Sequence, residues 1–232
     1  MGAHVKPDRF QLDGGFYTLS EAARLLNMSS WQHLARWLKP TDRAAAAVLR
    51  QYPKVGPEHE VGFYDLMEIR FITHFRKYIS LQGLRKAGEN ARKRLKLDHP
   101  FATSNIKFES DRKSIFLDTA TETGEREFLN LMNNQVEIYE AIEQIIAKDI
   151  SFNAGTGIAE QWWPLKGVCP HVTVDPHKAF GRPVIGDNGV PTEALYRLWR
   201  AEDGDYGKVA TWFGVKEGEV KEAVEFEVRL AA

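Results

Sequence analysis

"YTLSEAARLLNMSSWQHLARWLK", residues 17–39, decides how the chain is read. Thr18 stands three residues before Glu21. That is the spacing of a capping box, in which each side chain takes the other residue's backbone N–H at a helix start. Ala22, Leu25 and Leu26 then share one face, with Ala23 small enough for close packing. Asn27 tolerates the left-handed backbone that a tight interhelical turn needs. The pattern predicts a second helix from about Ser30 to Lys39, with Leu34, Trp37 and Leu38 turned inward. Two short helices around such a turn form a helix-turn-helix pattern. In a DNA-binding version the early residues of the second helix reach base edges in the major groove. Here those residues are Ser29, Ser30, Trp31, Gln32 and His33, with Arg36 and Lys39 farther along the exposed side. Glutamine can read adenine with two hydrogen bonds, arginine can read guanine, and serine suits phosphate. Two amphipathic helices with a short turn also occur in many all-α proteins, so spacing alone leaves both readings open.

Beyond this stretch, "TDRAAAAVLRQY" (residues 41–52) reads as a helical turn or two ended by Pro53, and a loop follows to Glu60. "GFYDLMEIRFITHFRKY" resumes a strong helix: Tyr64, Met67, Phe71, Phe75 and Tyr78 recur every three or four residues. A fourth helix is predicted from Ser80 to about Lys96. Its inner residues would be Leu84, Ala87, Ala91 and Leu95, and Arg85, Lys86, Arg92, Lys93 and Arg94 would face outward. In "IKFESDRKSIFLD", Ile106 and Phe108 alternate before a polar stretch, and Ile115 and Leu117 alternate after it, which predicts a β-hairpin. "EFLNLMNNQVEIYEAIEQIIAKD" reads as helical, while "ISF", "AEQWWPL" and "HVTVDP" read as short strands between turns. Three helices, roughly 192–202, 206–213 and 217–229, close the chain, the first capped by Thr192. The expected fold class is α+β and mostly α. It comprises an N-terminal winged helix-turn-helix over residues 1–98, a small β-containing connector or dimerisation region over 99–170, and a C-terminal three-helix domain over 171–232.

Composition narrows the function classes. Hydrophobic residues make up 43% of the 232 and charged residues 27%, an ordinary balance for a globular chain. No stretch approaches the roughly 20 apolar residues of a membrane helix, and the N-terminus lacks the apolar core of a secretory signal. Cys169 is the only cysteine, so no intrachain disulfide forms. A cytoplasmic protein is the expectation. The net charge of -1 hides a division: residues 1–100 hold 17 Lys/Arg against 10 Asp/Glu, and the remainder hold 14 against 22. Polyanions are attracted to local charge rather than to the chain average, so the split fits a basic binding module joined to an acidic, partner-facing one.

With the helices in order, residues 16–96 resemble the winged-helix domain of the mercury-resistance-regulator (MerR) family. The resemblance is carried by "YTLSEAARLLNMSSWQHLARWL", by "YDLMEIRFI" and by "ISLQGLRKA", with Ser80, Leu81, Leu84 and Arg85 matching best. It implies that Ser29–His33 and Arg36 meet the groove and that Arg43, Arg50 or Lys54, in the wing region, meet phosphate. The tail has a second resemblance. "VDPHKAFGRPVI", "GVPTEAL" and "YGKVATWFGVKEGEVKEAVEFE" look like the antitoxin-like domain-of-unknown-function family 433, over about residues 172–230. The matching residues are Gly181, Arg182, Pro183, Val184, Ile185, Val190 and Pro191. That resemblance implies toxin neutralisation and operator binding, with Phe180, Gly181, Arg182 and Pro183 as partner contacts and a small ribonuclease-like toxin as the partner.

Other groupings point less far. Gly181 and Gly186 have the spacing of a phosphate loop, but no Lys-Ser/Thr follows. Cys169, His171, Asp175 and His177 would share one face of a strand, yet no second ligand cluster has zinc spacing, and no metal or other cofactor is expected. No nucleophile with a neighbouring base stands out, so an enzyme is not expected. The sequence therefore predicts a sequence-specific transcriptional regulator of antitoxin type that binds double-stranded DNA as a homodimer and does not engage a membrane. Its rivals are a toxin-neutralising module with secondary DNA binding, and a ligand-gated regulator with its pocket at Trp162–Trp163.

Overall fold

The computed structural model describes residues 14–40, 46–48, 60–103, 106–126, 129 and 147–231. Thr18 ends strand β1 (Phe16–Thr18) and caps helix α1 (Leu19–Leu25): its hydroxyl accepts from the Glu21 N–H at 3.2 Å, and Glu21 accepts from the Thr18 N–H at 2.8 Å. Helix α2 (Trp31–Trp37) follows, capped by Ser30. Strand β2 (Glu60–Gly62) pairs antiparallel with β1 and leads into helix α3 (Phe63–Phe75). Asp65 accepts from the Gly62 N–H at 2.9 Å, so the predicted carboxylate cap of α3 is present. Helix α4 (Leu81–Leu95) starts at Ser80, whose hydroxyl accepts from the Gly83 N–H.

Residues 106–123 are not a hairpin. Ile106–Thr123 form one helix, α5, antiparallel to α4. The predicted alternation rested on four residues, whereas this stretch contains no Gly, Pro or Asn to form a turn. Ile115, Phe116, Thr119 and Ala120 are all buried, at the spacing of one helix face. Gly124, at φ 65°, ends the helix with its N–H on the Ala120 carbonyl. Burial of Phe116 completes an aromatic core: Phe71 stacks on Phe75 and on Phe101, each at 4.4 Å between centroids, and Phe116 lies beside all three.

The second half is a five-stranded antiparallel meander, Ile150–Phe152 (β3), Ala159–Trp162 (β4), Val172–Val174 (β5), Pro183–Ile185 (β6) and Val190–Pro191 (β7). One sheet therefore runs across residues 170 and 171. Helices α6 (Thr192–Ala201), α7 (Tyr206–Phe213) and α8 (Glu217–Ala231) match the sequence expectation closely. Val172, Ile185, Leu195, Val209, Val220 and Phe226 form their buried core. Thr192 does not cap α6 as expected. It is the first helical residue, it is buried, and its hydroxyl donates to the Glu227 carboxylate on α8, a stronger acceptor than a backbone group.

Two contacts join the halves. Glu227, 4% exposed, receives the Arg24 guanidinium from α1 at 3.0 Å. The Tyr17 hydroxyl donates to the Gly181 carbonyl at 2.8 Å. Gly15 and Gly181 pack so closely there that a Cβ on Gly181 would lie 2.4 Å from the Gly15 Cα. Among the described residues no helix is long and apolar enough to cross a membrane.

Candidate nucleic-acid interface

The turn between α1 and α2 is closed by the backbone itself. Asn27 takes φ 50°, its N–H meets the Arg24 carbonyl at 3.1 Å, and the Met28 N–H meets the Ala23 carbonyl at 2.9 Å. These are the paired bonds of a Schellman ending, with asparagine in the left-handed position usually held by glycine. The Ser30 hydroxyl then accepts from the Gln32 N–H and also contacts the Gln32 side-chain oxygen, tying Gln32 to the start of α2.

Leu34, Trp37 and Leu38 are buried, which turns the opposite side of α2 outward. Ser29, Trp31, Gln32, His33, Arg36 and Lys39 are all exposed, and Ser30 is half-buried. Trp31 is 46% exposed, unusual for an indole and consistent with a surface that contacts something. The residues singled out from the sequence thus lie on one exposed helix side. Arg43, Arg50, Lys54 and the rest of the wing region lie outside the described residues, as does most of the helix expected over residues 128–149.

Arg85 was expected to face solvent from α4. It is buried, and its guanidinium donates to the Arg36 carbonyl at 2.9 Å and to the Lys39 carbonyl at 3.1 Å. A cation here satisfies carbonyls left open at the end of α2 and complements the helix dipole. Arg85 therefore sets where the exposed side of α2 sits. Its position was legible after all, since it stands four residues after Leu81 and three before Gly88, on the inner stripe.

The basic charge of the first half is unevenly available. On α4, Lys86 pairs with Glu122 at 2.9 Å, Arg94 with Asp118 at 2.9 Å, and Lys93 with Glu89 at 2.5 Å. Helix α5 thus neutralises much of the outer side of α4. On α2, Arg36 and Lys39 form no ion pair among the described residues.

No family model matches the chain, and no curated protein matches it. The crystal structure of Rv2018 from Mycobacterium tuberculosis aligns with a TM-score of 0.66, over 90% of this chain and 96% of that one, at 22% sequence identity. The likeness is one of fold. It spans both halves of the chain, so the helical half and the sheet-and-helix half recur together.

At the joint, the turn over residues 179–183 is strained and displayed. Ala179, Phe180 and Gly181 have φ of 46°, 58° and 80°, and the Phe180 ring is 80% exposed. Gly181 is buried against Gly15 and Tyr17, and so shapes the joint rather than a surface. Arg182 is exposed and lies 3.9 Å from Glu193, and Pro183 begins β6 half-buried. The Cys169–His177 grouping is dispersed. His171 contacts Glu222 at 2.8 Å, Asp175 caps the backbone of His177, and buried Cys169 has its thiol pushed up to about 11 by desolvation, with Glu222 adding to the rise. Among the described residues no three His, Cys, Asp or Glu side chains gather as metal ligands.

Proposed function

We propose that the protein is a sequence-specific DNA-binding transcriptional regulator of antitoxin type, with α1 and α2 as a helix-turn-helix and α2 as its reading helix. One observation carries the reading: the side of α2 bearing Gln32, His33, Arg36 and Lys39 is exposed and free of neutralising carboxylates among the described residues, while the basic side of α4 is not. A short α2 spans few base pairs, so the protein acts as a homodimer on two half-sites. The MerR resemblance of residues 16–96 and the family-433 resemblance of residues 172–230 support the same reading, and the protein works in the cytoplasm as an autorepressor.

The test is a binding titration with DNA from upstream of the protein's own gene, at 50 mM and 200 mM salt. Phosphate contacts release counterions, so affinity should fall by about tenfold or more over that interval if several lysines and arginines engage. A flat salt response, or no binding, refutes the reading.

A second reading is favoured by Phe180. Its exposure on a left-handed backbone costs about 1 kcal/mol or more in strain, an expense more understandable at a contact surface than at a passive turn. In that reading Phe180 and Arg182 hold a small ribonuclease-like toxin and DNA contact is secondary. Co-expression with the product of the adjacent gene, with Phe180→Ala abolishing co-purification, distinguishes it.

A further inference from the structure

A cleft of about 470 Å³ opens where the two halves meet. Its walls come from four places: the end of α1 and its turn, the outer part of α3, the β4 edge of the sheet, and the last turn of α8. Such volumes, at a junction between structural units, are the usual setting of small-molecule sites. The chemistry of the walls is divided. Leu26, Trp162, Leu165 and Leu230 supply an apolar lining, while Arg70, Thr73 and His74 stand together on one turn of α3.

The polar end has a definite character. Arg70 is 6% exposed, its guanidinium lies 5.7 Å from the Trp162 ring centre, and Asp149 stands 3.8 Å away, near the outer limit of an ion pair. Burial lowers its pKa to about 10, with Asp149 opposing the shift, so this guanidinium is poorly solvated although still charged. A poorly solvated arginine fork favours a carboxylate, which can accept two parallel bonds from it. His74 adds a second requirement. Its Nδ1 lies 2.9 Å from the Arg70 carbonyl, and since a carbonyl only accepts, Nδ1 carries the proton. Burial holds its pKa down, so the ring is neutral near pH 7 and Nε2 is an acceptor. The Thr73 hydroxyl likewise spends its proton on the Ile69 carbonyl at 2.8 Å. The site therefore offers one cation for a carboxylate, acceptors for a hydroxyl, and an apolar lining for a hydrocarbon body.

We propose that this cleft binds a small hydroxylated organic carboxylate with an apolar or aromatic body, its carboxylate on Arg70 and its hydroxyl toward His74. Leu25, Leu26 and Asn27 form part of the wall, so an occupied cleft braces the turn that leads into α2. This inference does not rest on DNA binding, and neither outcome of the DNA titration bears on it.

The experiment is isothermal titration of the full chain with 4-hydroxyphenylacetate and with its uncharged amide. The acid should bind one per chain with Kd below about 1 mM, as expected for a ligand of that size. The amide should bind at least about tenfold more weakly, because it cannot form the charge-assisted pair. Arg70→Gln should lower affinity for the acid by a similar factor. Since that change touches a buried group, Leu230→Trp provides a second variant, which fills the cleft from its outer end and should abolish binding while the protein remains folded by circular dichroism. Absence of binding to the unaltered chain, equal binding of acid and amide, or undiminished binding in folded Leu230→Trp protein would each overturn the proposal.

Discussion

Helices α2 and α8 are built alike at their starts and differ in charge. Each follows a short helix that ends in a left-handed residue, Asn27 before α2 and Gly214 at φ 64° before α8. Each turn is closed by a bond reaching back five residues, from Met28 to Ala23 at 2.9 Å and from Val215 to Ala210 at 3.1 Å. Yet α2 opens with Ser30 and presents Gln32, His33, Arg36 and Lys39, while α8 opens with Glu217 and Glu219. The Glu219 carboxylate already accepts from the Lys216 N–H at 2.7 Å, and Glu217 pairs with Lys221 at 2.6 Å. The helix start that could receive a phosphate is thus occupied by the protein's own anions at α8 and left open at α2. Helix-turn-helix geometry occurs twice in this chain; only one copy has the charge for a polyanion.

Three changes test that contrast, in descending size. Arg85→Met removes the buried clamp on the end of α2 and should cost about 2 kcal/mol in urea unfolding, since hydrogen bonds to a charged donor are lost and carbonyls are left open. Unchanged stability would mean that α2 is held by Leu34 and Trp37 alone. Ser30→Ala removes the cap at the opposite end of α2 and should cost about 1 kcal/mol by the same measurement. A loss as large as that of Arg85→Met would place the anchoring of α2 at its start. Glu217→Lys gives α8 a basic start and should raise affinity for a random duplex at low salt by about threefold, the size of one exposed charge at a helix end. No gain would show that α8 is withheld from DNA by its placement and not by its charge.

Much of this was legible in the sequence, for local reasons. The α1 capping box, the buried stripe of α3 and the three closing helices depend on side-chain spacing within one or two turns, and spacing is written in the chain. What escaped depended on partners distant in sequence. Strand β1 has three residues, and its pairing with β2 joins Tyr17 to Val61, far too short and too remote for alternation to reveal. Thr192 was expected to cap its own helix because Glu227, 35 residues away, could not be foreseen as its acceptor. Helix α5 was misread because alternation in two short runs outweighed the absence of any turn residue. The charge division between halves was real in composition, but α5 carboxylates consume much of it at α4. The exposed side of α2 was legible residue by residue; the Arg85 clamp and the Arg70 cleft were not.

The central claim is that α2, and not α8, meets DNA. It is tested most directly by anisotropy titration of one labelled duplex from upstream of the gene with three proteins: the unaltered chain, Arg36→Ala with Gln32→Ala, and Glu217→Gln with Lys221→Ala. The account predicts that the α2 pair weakens binding by about 10- to 100-fold, the range for losing base-reading contacts, while the α8 pair stays within about twofold. Equal losses from both pairs, or none from the α2 pair, would contradict it.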